Sequence, residues 1–131
     1  MEKLDLFTSG YIEAVFFTAD EDMSDKGLVD IASDDLVQIC LECKNFQEDN
    51  KSLLDIAYEK LGYTENQAGI DFWFTRNGHG VGYWDRGLGK VGDELSVVSR
   101  QLKNSDVYAG DDELVYFTNL PRDRVVKKLN I

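Results

Sequence analysis

The chain has 131 residues but only one histidine, one proline and two cysteines, and each scarcity excludes something. With a single proline and hydrophobic residues in nearly every window, a long disordered tract is not expected. No apolar run approaches the roughly 20 residues that span a bilayer. The first residues, MEKLDLF, lack the basic-then-apolar order of a signal peptide. We therefore expect a single domain, residues 1–131, in the cytoplasm and away from membranes.

The two cysteines, Cys40 and Cys43, are three residues apart within a helical pattern, so they are expected on one face, apolar and reduced. A zinc or redox site would need further ligands, and one histidine without a second CxxC supplies too few. The acidic stretch that begins at Asp20 resembles a calcium-binding loop in its density of carboxylates. Its sixth and twelfth positions are Asp25 and Ile31, where an EF-hand needs Gly and Glu. We predict no metal and no cofactor.

Negative charge is concentrated in the first half of the chain. Met1 to Asp71 holds seventeen acidic and five basic residues, hence −12, whereas Phe72 to Ile131 holds eight and nine, hence +1, which together give the net −11. Such a field repels phosphate, so we expect this half not to bind free nucleic acid but to attract a protein with a basic surface. Simple solubility is the alternative. The predicted acidic binding surface consists of Asp20, Glu21, Asp22, Asp25, Asp30, Asp34, Asp35 and Glu42.

Apolar residues at three- and four-residue intervals predict several helices in residues 1–69. Ser33 is the expected N-cap of the second helix, Asn50 that of the third, and TENQ forms a capping box for a last turn that Gly69 stops. An acidic loop, Asp20 to Asp30, separates the first two. The predicted helices are Leu4 to Ala19, Ser33 to about Asp49, and Asn50 to Gly62.

The period changes in the stretch Asp71 to Gly89, DFWFTRNGHGVGYWDRGLG, which we call the signature segment. Apolar and polar residues alternate in 70–75 and again in 81–86, which is typical of strands. Asn-Gly between them is the strongest short hairpin signal. The pattern therefore predicts a β-hairpin, with an ion pair between Arg76 and Asp85 across it.

After the signature segment, periodicity predicts a helix from about Lys90 to Lys103. A second hairpin follows, with strands at Asp106 to Tyr108 and Leu114 to Thr118, and then a short basic helix, Asp123 to Leu129. The predicted fold class is α+β. An acidic, mainly helical half, 1–69, packs on a small antiparallel sheet in 70–131 that has one interposed helix.

The predicted hairpin also carries the only candidates for chemistry. Histidine is the side chain that most often serves as acid or base near neutral pH, so His79, with Arg76 and Asp85, forms a weak catalytic set. Asn77, His79 and Arg86 are candidates for binding an anionic ligand. No Ser or Cys nucleophile stands nearby, and the glycines lead into a second strand, unlike a dinucleotide-binding turn. Catalysis is therefore not favoured.

Four segments together resemble a family of small, largely uncharacterised proteins encoded by bacteriophages. They are YIEAVFFTA, DIASDDL, AGIDFWFTRNGHGVGYWDRG and VYAGDDELVYF. The resemblance implies a phage or prophage origin and a bacterial host cytoplasm, and it transfers no activity and no residue role.

Three functional hypotheses follow. The leading one is a phage accessory protein that binds a host protein, as a DNA-mimic-like inhibitor of a defence nuclease of the restriction or CRISPR type. The alternative is a small enzyme or anionic-ligand-binding domain centred on residues 71–89. The third is a structural or regulatory phage protein.

Overall fold

The computed structural model describes residues 4–120, which form five α-helices, three 3-10 turns and one two-stranded antiparallel sheet. The predicted α+β class is confirmed. The predicted short helix Asp123 to Leu129 lies outside the described residues. The helices are α1 Leu6–Thr18, α2 Ser33–Asp49, α3 Lys51–Tyr58, α4 Glu65–Asn77 and α5 Lys90–Arg100, and the strands are β1 Val107–Ala109 and β2 Val115–Phe117.

Helices α1 and α4 cross at two glycines that bring their backbones into contact. A Cβ added to Gly10 would lie 2.1 Å from the carbonyl oxygen of Asn66, and one added to Gly69 would lie 1.8 Å from that of Phe7. No side chain fits at either position. Gly69 therefore does not stop the helix, as the sequence suggested, but allows α4 to lie against α1.

Residues 70–75, predicted as a strand, belong to α4, so this prediction is wrong. The Thr64 hydroxyl does accept the N–H of Gln67, at 3.1 Å, which is one half of the predicted capping box, whereas the Gln67 amide donates to Asp71. The helix then continues to Asn77. The apparent alternation misled because Trp73 and Thr75, between the apolar residues, are also buried. A helix that is buried on most sides lacks the polar face that reveals a period of 3.6.

The Asn-Gly pair ends α4 instead of turning a hairpin. Gly78 adopts the left-handed conformation, with φ 65°. The N–H of His79 donates to the carbonyl of Phe74 at 3.1 Å, and the N–H of Gly78 donates to that of Thr75 at 3.3 Å. This pair of bonds defines a Schellman motif, which favours glycine for the same left-handed geometry as a hairpin turn. The second predicted strand contains a 3-10 turn, Tyr83–Asp85, so the first hairpin is absent.

Helices α2 and α3 lie where the sequence placed them, but the predicted caps are wrong. Ser33 is already inside the first turn of α2, and no side chain caps that helix. The Asn50 amide donates back to the Phe46 carbonyl at 2.9 Å instead of capping α3. Apolar periodicity thus located these helices better than it located their ends.

The predicted second hairpin is confirmed, and its sheet packs against the start of α2. Strands β1 and β2 pair antiparallel, with Tyr108 opposite Tyr116. The outer edge of β2 is covered because the Ala32 N–H donates to the Val115 carbonyl at 2.9 Å. The buried Asp35 carboxylate accepts the N–H of Phe117 at 2.8 Å. The start of α2 is therefore attached to the sheet through Ala32 and Asp35. Helix α5 precedes this one sheet instead of separating two hairpins.

The cap of α1 gives a pH-dependent prediction. The Asp5 carboxylate accepts the Thr8 N–H at 2.7 Å. Burial raises the pKa of Asp5, but hydrogen bonds from Thr8 and Gln47 outweigh it and hold the pKa below 3.8. A lowered folded-state pKa gives stability that is present above the unfolded value and is lost as pH falls. We expect Asp5→Ala to cost about 1 kcal/mol at neutral pH in urea unfolding, and less below the ordinary value of 3.8. A cost that stays constant on acidification would contradict a role for the charge.

Candidate functional site

Two charged residues of the signature segment form a structural ion pair. The Asp71 carboxylate is fully buried, and it accepts hydrogen bonds from Nε of Arg86 at 3.0 and 3.1 Å and from Nη2 at 2.8 Å. The Tyr63 hydroxyl donates to it at 2.8 Å and the Gln67 amide at 3.1 Å. The hydrogen bond to Asp71 raises the pKa of Arg86. Arg86, predicted to bind an anionic ligand, is therefore used to join the loop to α4.

Arg76 forms a second structural ion pair, and the predicted pair with Asp85 is wrong. Its buried guanidinium donates to the Glu42 carboxylate, to the Tyr11 hydroxyl at 3.1 Å and to the Lys103 carbonyl at 2.6 Å. Burial lowers the pKa of Arg76, but interactions with Tyr11 and Glu42 outweigh it and raise the pKa. Asp85 is exposed on its 3-10 turn. The helical course of α4 explains the error, because it directs Arg76 into the core.

His79 is held at the surface by the end of α4. Its ring lies against Phe74, with centroids 6.0 Å apart at 70°, and against Trp73, with centroids 6.5 Å apart at 29°. The contact with Phe74 is the apolar contact that commonly accompanies a Schellman motif. The imidazole ring thus packs against two aromatic rings while the residue stays exposed.

His79 borders a cleft of about 210 Å³ between the last turns of α1 and α4 and the segment before β1. We call this space the cleft. Val15 and Trp73, both almost fully buried, belong to its apolar lining. The side chains that give it polar character are those of Thr18, Asn77, His79, Asn104, Ser105 and Asp106.

Several polar groups of the cleft are already paired. The Trp73 indole N–H donates to the Thr18 hydroxyl at 2.9 Å, and that hydroxyl donates to the Ala14 carbonyl at 2.9 Å. The Asn77 side chain accepts the Ser105 N–H at 2.8 Å, and the Ser105 hydroxyl donates to the Thr118 carbonyl at 3.0 Å. Among the residues that the structure describes, neither hydroxyl is hydrogen-bonded to a base that would activate it. The cleft is therefore better suited to binding than to nucleophilic catalysis.

The three predicted catalytic residues lie in different surroundings. His79 borders the cleft, Arg76 is buried against Glu42, and Asp85 does not line the cleft. Within residues 4–120, no three His, Cys, Asp or Glu side chains are grouped as a metal site would require. Burial raises the pKa of both Cys40 and Cys43, which keeps the thiols protonated and weakly nucleophilic.

The predicted acidic surface is smaller in the structure than in the sequence. Asp35 is buried against β2, so it is a structural residue. The Glu42 side chain, 11% exposed, is paired with Arg76. Asp30 is half-buried and accepts the Gly27 N–H at 2.8 Å. The predicted carboxylates that are exposed are Asp20, Glu21, Asp22, Asp25 and Asp34.

These five exposed residues define what we call the acidic segment, residues 20–34. Lys26 is its one basic residue, and its ammonium group, 3.0 Å from the Glu113 carboxylate, is already neutralised. Val29 projects from the same segment and is 88% exposed. The segment thus offers uncompensated negative charge around an apolar side chain.

The sequence did not reveal the residues that face His79 across the cleft. Asn104, Ser105 and Asp106 are about 25 positions away, just before and at the first residue of a predicted strand. Thr18 is the last residue of α1. A histidine placed at a hairpin tip has no neighbours in these segments, so only the correct course of α4 brings them together.

Within the described part of the chain, no helix is both long and apolar enough to span a bilayer. Comparison with known proteins adds no relative, because no family model, curated protein or solved structure matches this chain.

Proposed function

We propose that this chain is a phage accessory protein that binds a host protein through the acidic segment. The partner presents a basic surface that normally contacts DNA, as in a defence nuclease of the restriction or CRISPR type, and the chain inhibits it as a DNA mimic. The observation that carries the proposal is five exposed carboxylates within residues 20–34, where the one lysine is already paired.

Charge of this kind acts mainly through steering and selection of the partner. Exposed carboxylates attract a basic surface over about 10 Å at moderate salt and repel acidic competitors. The acidic segment also exposes Val29, and an apolar contact surrounded by charges is the usual anatomy of a protein interface. The lysines and arginines with which the partner normally binds DNA phosphates would bind these carboxylates instead.

The backbone of the acidic segment is held at several points, which supports mimicry of a fixed charge pattern. Met23 is 4% exposed and packs in the core. The Lys26 ammonium group donates to the Glu113 carbonyl at 2.9 Å, and the Ala32 N–H binds β2. Two short 3-10 turns, Glu21–Met23 and Leu28–Asp30, give the intervening backbone defined geometry. Preorganised charges lose less conformational entropy on binding than those of a flexible loop.

The test is capture of a partner with a charge-neutralised variant. The variant replaces four exposed carboxylates by amides: Asp20→Asn, Glu21→Gln, Asp22→Asn and Asp25→Asn. Each exposed charge contributes about 0.2–1 kcal/mol, so we expect the loss of four to lower affinity by about fourfold to nearly a thousandfold. Tagged protein is incubated with bacterial lysate at low salt, and retained proteins are identified by mass spectrometry.

The matched control removes four exposed carboxylates elsewhere: Glu48→Gln, Glu59→Gln, Asp93→Asn and Glu94→Gln. The control is expected to retain the same basic, DNA-binding protein as the natural chain, and added duplex DNA is expected to release it. Equal retention by the variant, or a retained protein that duplex DNA does not displace, would contradict the proposal.

A further inference from the structure

We infer that the cleft receives an arginine side chain of the basic partner, whose guanidinium group lies beside Asp106. This inference rests on the proposed function and specifies the chemistry that anchors the partner. The supporting observations are the electrostatics of the cleft, its unpaired polar atoms and its position beside the acidic segment.

The cleft is electronegative because two helix C-termini meet there. Val15 and Thr18 come from the last turn of α1, and Asn77 ends α4. Each C-terminus carries about half a negative charge. Asp106 adds a full carboxylate, and among residues 4–120 no lysine or arginine lines the space. The cleft therefore favours a cation over a phosphate. We infer that His79 and Asn77, which the sequence suggested for an anionic ligand, border a site for a cation.

The remaining polar atoms of the cleft suit a donor. One Asp106 oxygen accepts the Val107 N–H at 2.9 Å, and among the described contacts its other oxygen has no partner. The contacts described within residues 4–120 also leave the Asn104 side-chain amide without one. Carboxylate and amide oxygens together satisfy several N–H groups of one guanidinium.

The apolar lining distinguishes arginine from lysine. Trp73 and His79 both line the cleft with their ring planes inclined by only 29°, and His79 is the exposed ring of the two, because Trp73 is almost fully buried. A guanidinium is planar, more weakly hydrated than an ammonium group, and stacks on aromatic faces. A cleft of about 210 Å³ is also an appropriate receptor for one side chain rather than for a whole nucleotide.

The cleft adjoins the acidic segment directly. Ala19 lines the cleft, and Asp20 is the next residue. A partner that contacts the exposed carboxylates thus brings its neighbouring basic side chains to the cleft opening. Arginine is one of the residues most often found as an interface hot spot, anchored in a pocket inside a polar rim.

The probe for this site is N-acetyl-arginine amide, with N-acetyl-citrulline amide as its neutral isostere. The chain has two tryptophans, so two indole N–H signals report the result in ¹H–¹⁵N NMR. Trp73 lines the cleft, whereas Trp84 packs against Arg100, 4.7 Å from its ring centroid. We expect the arginine probe to shift the Trp73 signal saturably and to leave Trp84 unchanged, and the citrulline probe to shift neither.

A charge variant tests the role of the carboxylate. Asp106→Asn is expected to weaken binding of the arginine probe by about two- to fivefold, as for removal of one exposed ion pair. Asp111→Asn, which removes an exposed charge outside the cleft, is expected to leave it unchanged. The assignment is overturned if Trp73 does not shift, if citrulline binds equally well, or if both variants behave alike.

Failure of this inference is separable from failure of the proposed function. If the probe does not bind while capture of a DNA-displaceable partner persists, the acidic segment acts without the cleft. If the probe binds and no such partner is captured, the cleft is a guanidinium site and the proposed function is wrong.

Discussion

Arg76→Met is expected to lower the free energy of unfolding by about 3–5 kcal/mol, the usual loss when one partner of a buried ion pair is removed. The Glu42 carboxylate would remain, 11% exposed, without its cation. The Tyr11 hydroxyl and the Lys103 carbonyl would lose their donor as well. Urea unfolding followed by circular dichroism at neutral pH measures this change.

Two further variants separate the ion pair from general effects of arginine removal. Adding Glu42→Gln to Arg76→Met is expected to cost less than the sum of the single changes, because both act on one interaction. Arg100→Met removes an exposed arginine from the Trp84 ring and is expected to cost at most about 1 kcal/mol. Similar losses for Arg76→Met and Arg100→Met would show that the buried pair is not formed.

Gly69→Ala is expected to destabilise the protein by at least about 3 kcal/mol, although alanine is the better helix former. Inside an unobstructed helix the change would gain about 1 kcal/mol. At this position the new Cβ would lie 1.8 Å from the Phe7 carbonyl oxygen, so α1 and α4 would have to separate. Thermal and urea unfolding measure the loss.

The matched control is Gly27→Ala, where an added Cβ meets nothing within 4 Å. Its effect is expected to stay within about 0.5 kcal/mol. A neutral or stabilising effect of Gly69→Ala would be inconsistent with the close crossing of α1 and α4.

Local patterns predicted the amphipathic helices and the second hairpin because one face of each is buried. In α2, Ile39, Cys43 and Phe46 are buried and recur at helical spacing. In β2, Val115 and Phe117 alternate with the partly exposed Tyr116. In such elements the period of the apolar residues follows directly from the geometry of burial.

The signature segment could not be predicted in this way. Helix α4 is buried on most sides, so its period is hidden, and Asn77-Gly78 is suited to either a hairpin or a helix end. The partner of Arg76 is 34 positions away, where no local spacing signals it. Nor does the sequence distinguish Asp35, which is buried, from exposed Asp34 beside it. These features depend on tertiary contacts, and so does the cleft.

We propose that the acidic segment binds its partner in place of DNA. This is tested most directly by competition between duplex DNA and this chain for the purified, captured partner. The dissociation constant is measured at increasing concentrations of duplex DNA and of salt. We predict that DNA and this chain exclude each other, so that the apparent dissociation constant rises in proportion to added duplex, and that affinity falls steeply with salt. A ternary complex with DNA, or an affinity that salt leaves unchanged, would contradict it.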